Sequence, residues 1–176
     1  MNFKNAYTKS ALVLVFSFIA ITGAFAQFSV GFEYQLPMGT FGDSFNGGIG
    51  GTLRYDKGLN DNMTWGVSAG YISYGAKNVP SGGSASTSLI PIVGGIKYYF
   101  TELNKGFYGG ADLGFVFASA TASYSGASAS VSETKFGFMP GIGYRTGPID
   151  FAVRYNLVGD LNNVGLRLAY VFGGGN

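Results

Sequence analysis

The segment Val164–Phe172 restricts the fold more than any other stretch of the chain. Val164, Leu166, Leu168, Tyr170 and Phe172 are large and apolar, and Gly165, Arg167, Ala169 and Val171 alternate with them. Extended backbone sends successive side chains to opposite faces, so one face here is wholly apolar and the other carries an arginine. In a soluble sandwich the apolar face would need a second sheet. In a transmembrane barrel it meets lipid, and Arg167 points into the lumen.

The same alternation recurs along the chain and predicts seven further strands. They are Gln27–Leu36, Gly47–Tyr55, Met63–Tyr74, Ser88–Phe100, Phe107–Ala118, Thr134–Arg145 and Ile149–Leu157. Most are about 9–11 residues, the length a tilted strand needs to cross a bilayer. Pro37–Asp43, Asp56–Asn62, Thr101–Gly106 and Thr146–Pro148 carry turn chemistry. Gly75–Ser86 and the low-complexity Ser119–Ser132 are expected as long loops. The predicted fold is all-β, an eight-stranded antiparallel up-and-down barrel with no helical plug. Pro91 and Pro140 fall inside strands of a barrel that has no edge, so a bulge is expected near each.

Nine charged residues lie in these strands: Glu33, Arg54, Lys97, Asp112, Lys135, Arg145, Asp150, Arg154 and Arg167. All nine take the parity opposite to the large apolar side chains. A cationic side chain facing lipid at the midplane costs about 2–4 kcal/mol, which accounts for the exclusion. A soluble ligand-binding barrel would have the reverse pattern. The nine are therefore expected to form a network in the lumen, as a salt-bridged plug or as the lining of a narrow pore. Eight strands enclose a space that side chains can just fill, which favours the plug. Inward glycines either leave gaps or make room for long side chains.

Residues 1–26 are expected to be a cleaved signal peptide: Lys4 and Lys9, an apolar core over Ala11–Ile21, then Ala24-Phe25-Ala26. Removing 26 of 176 residues leaves 150, with a barrel domain over 27–172 and a short tail over 173–176. The leader takes two of eleven basic residues with it, leaving nine against nine acidic, so nothing supports nucleic-acid binding. The chain has no Cys and no His. This removes a disulfide framework, the commonest general base and the commonest metal ligand. Gly141-Ile142-Gly143 sits inside a strand with no following helix, so it is no dinucleotide loop. No enzyme, cofactor or metal site is expected. The loop serines are read as solvated.

Leader, eight alternating strands, Ser/Gly-rich loops and a last strand ending at Phe172 together resemble the small outer-membrane β-barrel proteins of the OmpA/OmpX type. The resemblance implies residence in the outer membrane of a Gram-negative-type bacterium, with outer-membrane lipid around the barrel. It also implies recognition of the closing strand by the barrel-assembly machinery, although here Gly173-Gly174-Gly175-Asn176 follow the aromatic residue. The expected role is envelope-structural or surface-interacting. Alternatives are a narrow pore or carrier of small or apolar solutes, and an adhesin acting through its extracellular loops.

Overall fold

Period-2 alternation along the chain becomes one closed sheet in the computed structural model, which describes residues 26–77, 83–124 and 127–173. The strands are β1 (Ala26–Pro37), β2 (Gly48–Gly58), β3 (Met63–Gly75), β4 (Gly83–Tyr99), β5 (Gly106–Tyr124), β6 (Ala127–Thr146), β7 (Ile149–Asn156) and β8 (Asn163–Phe172). A short helix, α1 (Gly39–Ser44), lies between β1 and β2. Each strand pairs antiparallel with its sequence neighbour, and β1 pairs with β8 to close the ring. Residues 1–25, which hold nearly all of the expected leader, lie outside the described residues, as do 174–176. Ala26 opens β1 opposite Lys57.

Paired residues can be followed around the ring from Gln35 through Gly165, Arg154, Gly141, Gly110, Lys97 and Thr64 to Gly58. This path returns to β1 about ten residues from its start, a stagger that tilts the strands by roughly 40°. The exterior is apolar: Leu53, Phe107 and Ile142 are 62%, 65% and 66% exposed. Inside, Glu33 is 0% exposed and Arg54, Lys97, Asp112, Asp150 and Arg167 are buried. Water outside would leave the greasy surface unpaid for, and hydrocarbon outside satisfies it.

The expected bulges do not occur. Pairing of β3 with β4 lapses between Ala69↔Ile92 and Ile72↔Leu89, where Pro91 stands, and resumes in the same register. Pairing of β6 with β7 stops at Gly141, yet Phe138 still bridges Leu157 in that register. On the opposite side both prolines keep their pairing, Pro91 with Val116 and Pro140 with Ala111. A proline lacks one donor, on one side of the strand only. A local gap absorbs that loss without an inserted residue, so facing is the same before and after each proline.

Two expected loops are partly structured. β4, β5 and β6 run to 17, 19 and 20 residues, well beyond a bilayer crossing. Most of Ser119–Ser132 is therefore the arms of a hairpin, standing roughly 20 Å beyond the barrel at 3.3 Å per residue. Residues 83–86 of the other expected loop belong to β4. The fin formed by the three strands continues the barrel's parity. Its outward face carries Ser84, Ser86 and Ser88 on β4, Ser119, Thr121 and Ser123 on β5, and Ser128, Ser130 and Ser132 on β6, in lateral register. Its other face is mainly alanine.

Pro37–Asp43 was expected as a loop in a barrel without a plug, and here it contributes a lid instead. The single turn of α1 drives Phe41 into a buried cluster at the long-loop mouth of the barrel, with Ile72, Tyr74, Leu89, Val116, Val158 and Leu161. The Phe41 ring meets Tyr74 edge-on, centroids 5.0 Å apart. Backbone bonds from Met38 to Asn162 (2.8 Å), Asn46 to Gly75 (2.9 Å) and Lys77 to Ser44 (2.8 Å) tie the lid to the rim.

Candidate functional site

The lumen beneath the lid is where the charged residues gather. Arg54 on β2 donates from Nε to Asp56 Oδ1 at 2.8 Å and from Nη1 to both oxygens of Asp112 at 2.8 and 2.9 Å. Arg154 on β7 reaches Asp112 Oδ2 at 3.5 Å and Glu33 Oε1 at 2.5 Å. Arg167 on β8 lies 3.6 Å from Glu33 Oε1 and 3.8 Å from Asp150 Oδ1. Lys97 on β4 sits 3.2 Å from Asp150 Oδ2 and 3.2 Å from Asp56 Oδ2. The path returns to its start. Asp56, Arg54, Asp112, Arg154, Glu33, Arg167, Asp150 and Lys97 form a closed ring in which four anions alternate with four cations.

Neutral groups add to it, while Glu33 Oε2, Arg54 Nη2 and Arg154 Nε stay buried without a hydrogen-bond partner. Tyr108 gives its hydroxyl hydrogen to Asp150 Oδ1 at 2.7 Å, and its ring lies 5.0 Å from Lys97 Nζ. Arg167 also donates to Thr52 Oγ1 (2.9 Å) and Ser29 Oγ (2.8 Å). Buried charges hold in a low dielectric only when paired and hydrogen-bonded, and here every charge has an opposite on each side. Toward the short turns after β2, β4 and β6 the Tyr99 and Tyr108 rings pack 5.2 Å apart. Above the ring, Tyr74 bonds Gln35, and Asn156 donates to Asn163 at 2.5 Å.

Glycines on the inner wall make room for this. A Cβ on Gly31 would lie 2.6 Å from Arg167 Nε, and one on Gly141 would lie 2.7 Å from Arg154 Cγ. On Gly66, Gly95 and Gly143 it would run into Asp56, Asp112 and Tyr108. The space they leave is filled by long side chains. Cavities of about 30 and 20 Å³ lie beside the ring. A water needs about 10–15 Å³, so each has room for one or two waters and is too small for a larger solute.

Seven of the nine charged residues expected in the lumen are in the ring: Glu33, Arg54, Lys97, Asp112, Asp150, Arg154 and Arg167. Arg145 is buried at the short-turn end, donating to Gln27 Oε1 (2.7 Å) and Gly147 O (2.8 Å). Lys135 does not join the network. It sits on the inward parity but at the rim beside the lid, paired with Asp160 of the β7–β8 loop and with Glu133. The eighth ring member, Asp56, was assigned to a turn, because Asp-Lys-Gly-Leu-Asn-Asp-Asn is rich in turn residues. In fact β2 runs on to Gly58, so Asp56 follows Arg54 inward. Parity was the available signal: Thr52, Arg54 and Asp56 are all polar at spacing two. With Asp56 in and Lys135 out, the buried lumen carries five bases against four acids. Among the described residues no cluster of side chains could hold a metal ion.

An apolar cylinder with charges locked inside defines a transmembrane β-barrel of the small eight-stranded outer-membrane type. No family model matches the chain, and no curated protein sequence does. Solved structures do. Over 86% of this chain and 100% of the other, it is similar to Ail, the attachment invasion locus protein of Yersinia pestis, with a TM-score of 0.60 and 19% identity. The N-terminal β-barrel domain of Pseudomonas aeruginosa OprF gives 0.54 at 12% identity, over 83% and 97% of the two chains. The outer membrane protein OprG of the same organism gives 0.50 at 14%, over 85% and 97%. At these identities the likeness is one of fold.

Proposed function

We propose that the protein is a non-enzymatic barrel of the outer membrane of a Gram-negative-type bacterium. Its sealed lumen serves as a rigid anchor, and its β4–β6 fin serves as a surface for interactions outside the cell. The short turns then face the periplasm, together with the first and last residues of the barrel, Ala26 and Phe172. The closed ring of eight alternating charges carries this reading. It fills the bore, leaves room for only one or two waters in each adjoining cavity and is roofed by the Phe41 cluster. A pore needs a continuous polar path, and the ring spends every one of its charges on a neighbour. The fin remains as the part of the molecule presented to a partner. Ail is an attachment protein by name and has been crystallised with a heparin analogue, sucrose octasulfate. A polysulfate is a poor match here, since the outer cations Lys77 and Lys135 are both engaged, by Gly42 O and by Asp160.

Planar-bilayer recording of the refolded protein tests the sealed lumen. No discrete conductance steps are expected. Steps that vanish on replacing Arg154 would reverse the reading in favour of a narrow pore.

A further inference from the structure

The outer arm of β6 has a free edge. Among the described residues, no strand and no backbone hydrogen bond reaches its far side from Ala127 to Phe136; β7 joins only at Phe138. Phe138 exchanges both backbone bonds with Leu157, at 3.0 and 2.9 Å. Pairing of β6 with β5 is unbroken from Arg145 to Ala127, so the same parity holds along the arm. Ser128, Ser130 and Ser132 therefore aim their N–H and C=O groups across the open edge, while the odd-numbered residues bond to β5.

Exposed edges are normally guarded by charge, proline or a bulge. From Ala127 to Ser132 there is none of these. The residues are small and uncharged, so nothing repels an incoming strand of the same sequence.

We propose that this edge pairs antiparallel with the same edge of a second copy of the chain, centred on Ser130. The molecule already displays the required seam. Between β5 and β6, Ser123 faces Ser128, Ala122 faces Ala129, Thr121 faces Ser130, Ala120 faces Val131 and Ser119 faces Ser132. Two of these pairs share hydroxyl hydrogen bonds, Ser123 with Ser128 at 3.3 Å and Ser132 with Ser119 at 3.1 Å. Across the new seam Ser128 faces the partner's Ser132, Ala129 faces the partner's Val131, and Ser130 faces the partner's Ser130. The side-chain pairs are of the same kinds. Three residues on each side point across the seam, which makes six backbone bonds and continues the hydroxyl face onto the partner.

Direction sets where the partner stands. Antiparallel strands place the two barrels at opposite ends of the seam, so the copies belong to facing membranes. Neighbours in one membrane, related by a two-fold along its normal, would run parallel and aim the same residues at each other. A parallel ladder needs alternate residues and cannot form that way. Six bonds make a weak single contact, which many copies on two apposed surfaces multiply. The assignment rests on the outward placement of the fin proposed above.

The test uses full-length protein in phosphatidylcholine vesicles, with Trp65 fluorescence and circular dichroism confirming the barrel. Vesicles carrying it should cluster by light scattering, and protein-free vesicles should not. Ser130→Pro removes one edge donor and spares the β5 ladder, so it should cut clustering at least tenfold. The chain has no cysteine, so oxidation reports the register without background. Ser130→Cys should give disulfide dimers, because directly paired Cα atoms lie about 5.5 Å apart. Ser132→Cys alone should not, since it lies roughly 13 Å from its own copy, but it should cross-link to Ser128→Cys. Dispersed wild-type vesicles, unchanged clustering in Ser130→Pro, or equal dimerisation at positions 130 and 132 would each overturn the pairing. None of these bears on the sealed lumen, which the conductance recording judges separately.

Discussion

Glu33→Gln is the sharpest probe of the charge ring. Glu33 is fully buried, and its Oε1 takes Arg154 at 2.5 Å, Thr52 at 3.2 Å and Arg167 at 3.6 Å. The amide keeps the shape and removes the charge, so the neutral ring acquires one positive charge between two arginines. Losing one partner of a buried pair costs about 3–5 kcal/mol, mostly because the other charge stays behind. Urea unfolding from lipid vesicles, followed by the fluorescence of the single tryptophan Trp65, measures it. With a slope of about 2 kcal/mol per molar, the midpoint should fall by about 2 M with the slope unchanged. Arg154→Gln added to it restores neutrality, so the double variant should be less destabilised than the sum of the singles by about 1–3 kcal/mol. A midpoint shift below about 0.5 M, or strict additivity, would show that the ring is not a coupled unit.

Three further outcomes are expected. Gly141→Ala should cost about 1–3 kcal/mol in the same assay, because its Cβ lies 2.5 Å from Val153 O and 2.7 Å from Arg154 Cγ. Lipid-facing Gly51→Ala, whose nearest neighbour is Gly31 O at 3.5 Å, should be nearly neutral. Leu53→Arg places a cation on the lipid face and should cost about 2–4 kcal/mol, against little for Leu53→Val. In the β7–β8 loop, a hydrogen bond from Lys135 holds the Asp160 carboxyl below its usual value of 3.8. A depressed acid stabilises the fold above its unfolded pKa and loses that contribution as pH falls through the folded one. Asp160 is largely exposed, so this amounts to less than about 1 kcal/mol. A carboxyl NMR titration should return Asp160 toward 3.8 in Lys135→Met.

Strand facing could be read from the sequence because lipid enforces it: one misplaced charge costs more than most single contacts supply. That is why the parity of Glu33, Arg54, Asp112 and Arg167 was visible without coordinates. The ring as a closed circuit was not visible, because it depends on which inward residues of six different strands meet at one height, and tilt sets that. Asp56 was lost to a conflict of signals, since turn-forming residues surround it while parity places it inside. The Ser/Ala arms read as a loop because neither residue favours strands strongly, yet their strict alternation is a strand period. Prolines suggested bulges through the general rule for closed sheets, whereas Pro91 and Pro140 each need only one missing donor accommodated. The lid could not be foreseen, since a six-residue helix is too short for a helical period and rests on one phenylalanine.

The ring also sets an order of events. Its members come from the first strand and the last: Arg167 bonds Ser29 across 138 residues of sequence and stands beside Glu33. Until the first and last strands meet, Arg167 and Glu33 stay apart and the circuit stays open, although β2 alone already holds Arg54 beside Asp56 and neighbouring strands bring Arg167 to Asp150. Only the finished cylinder joins all eight into one circuit. A strand slipped by two residues would strand a charge in the interior and be driven back out.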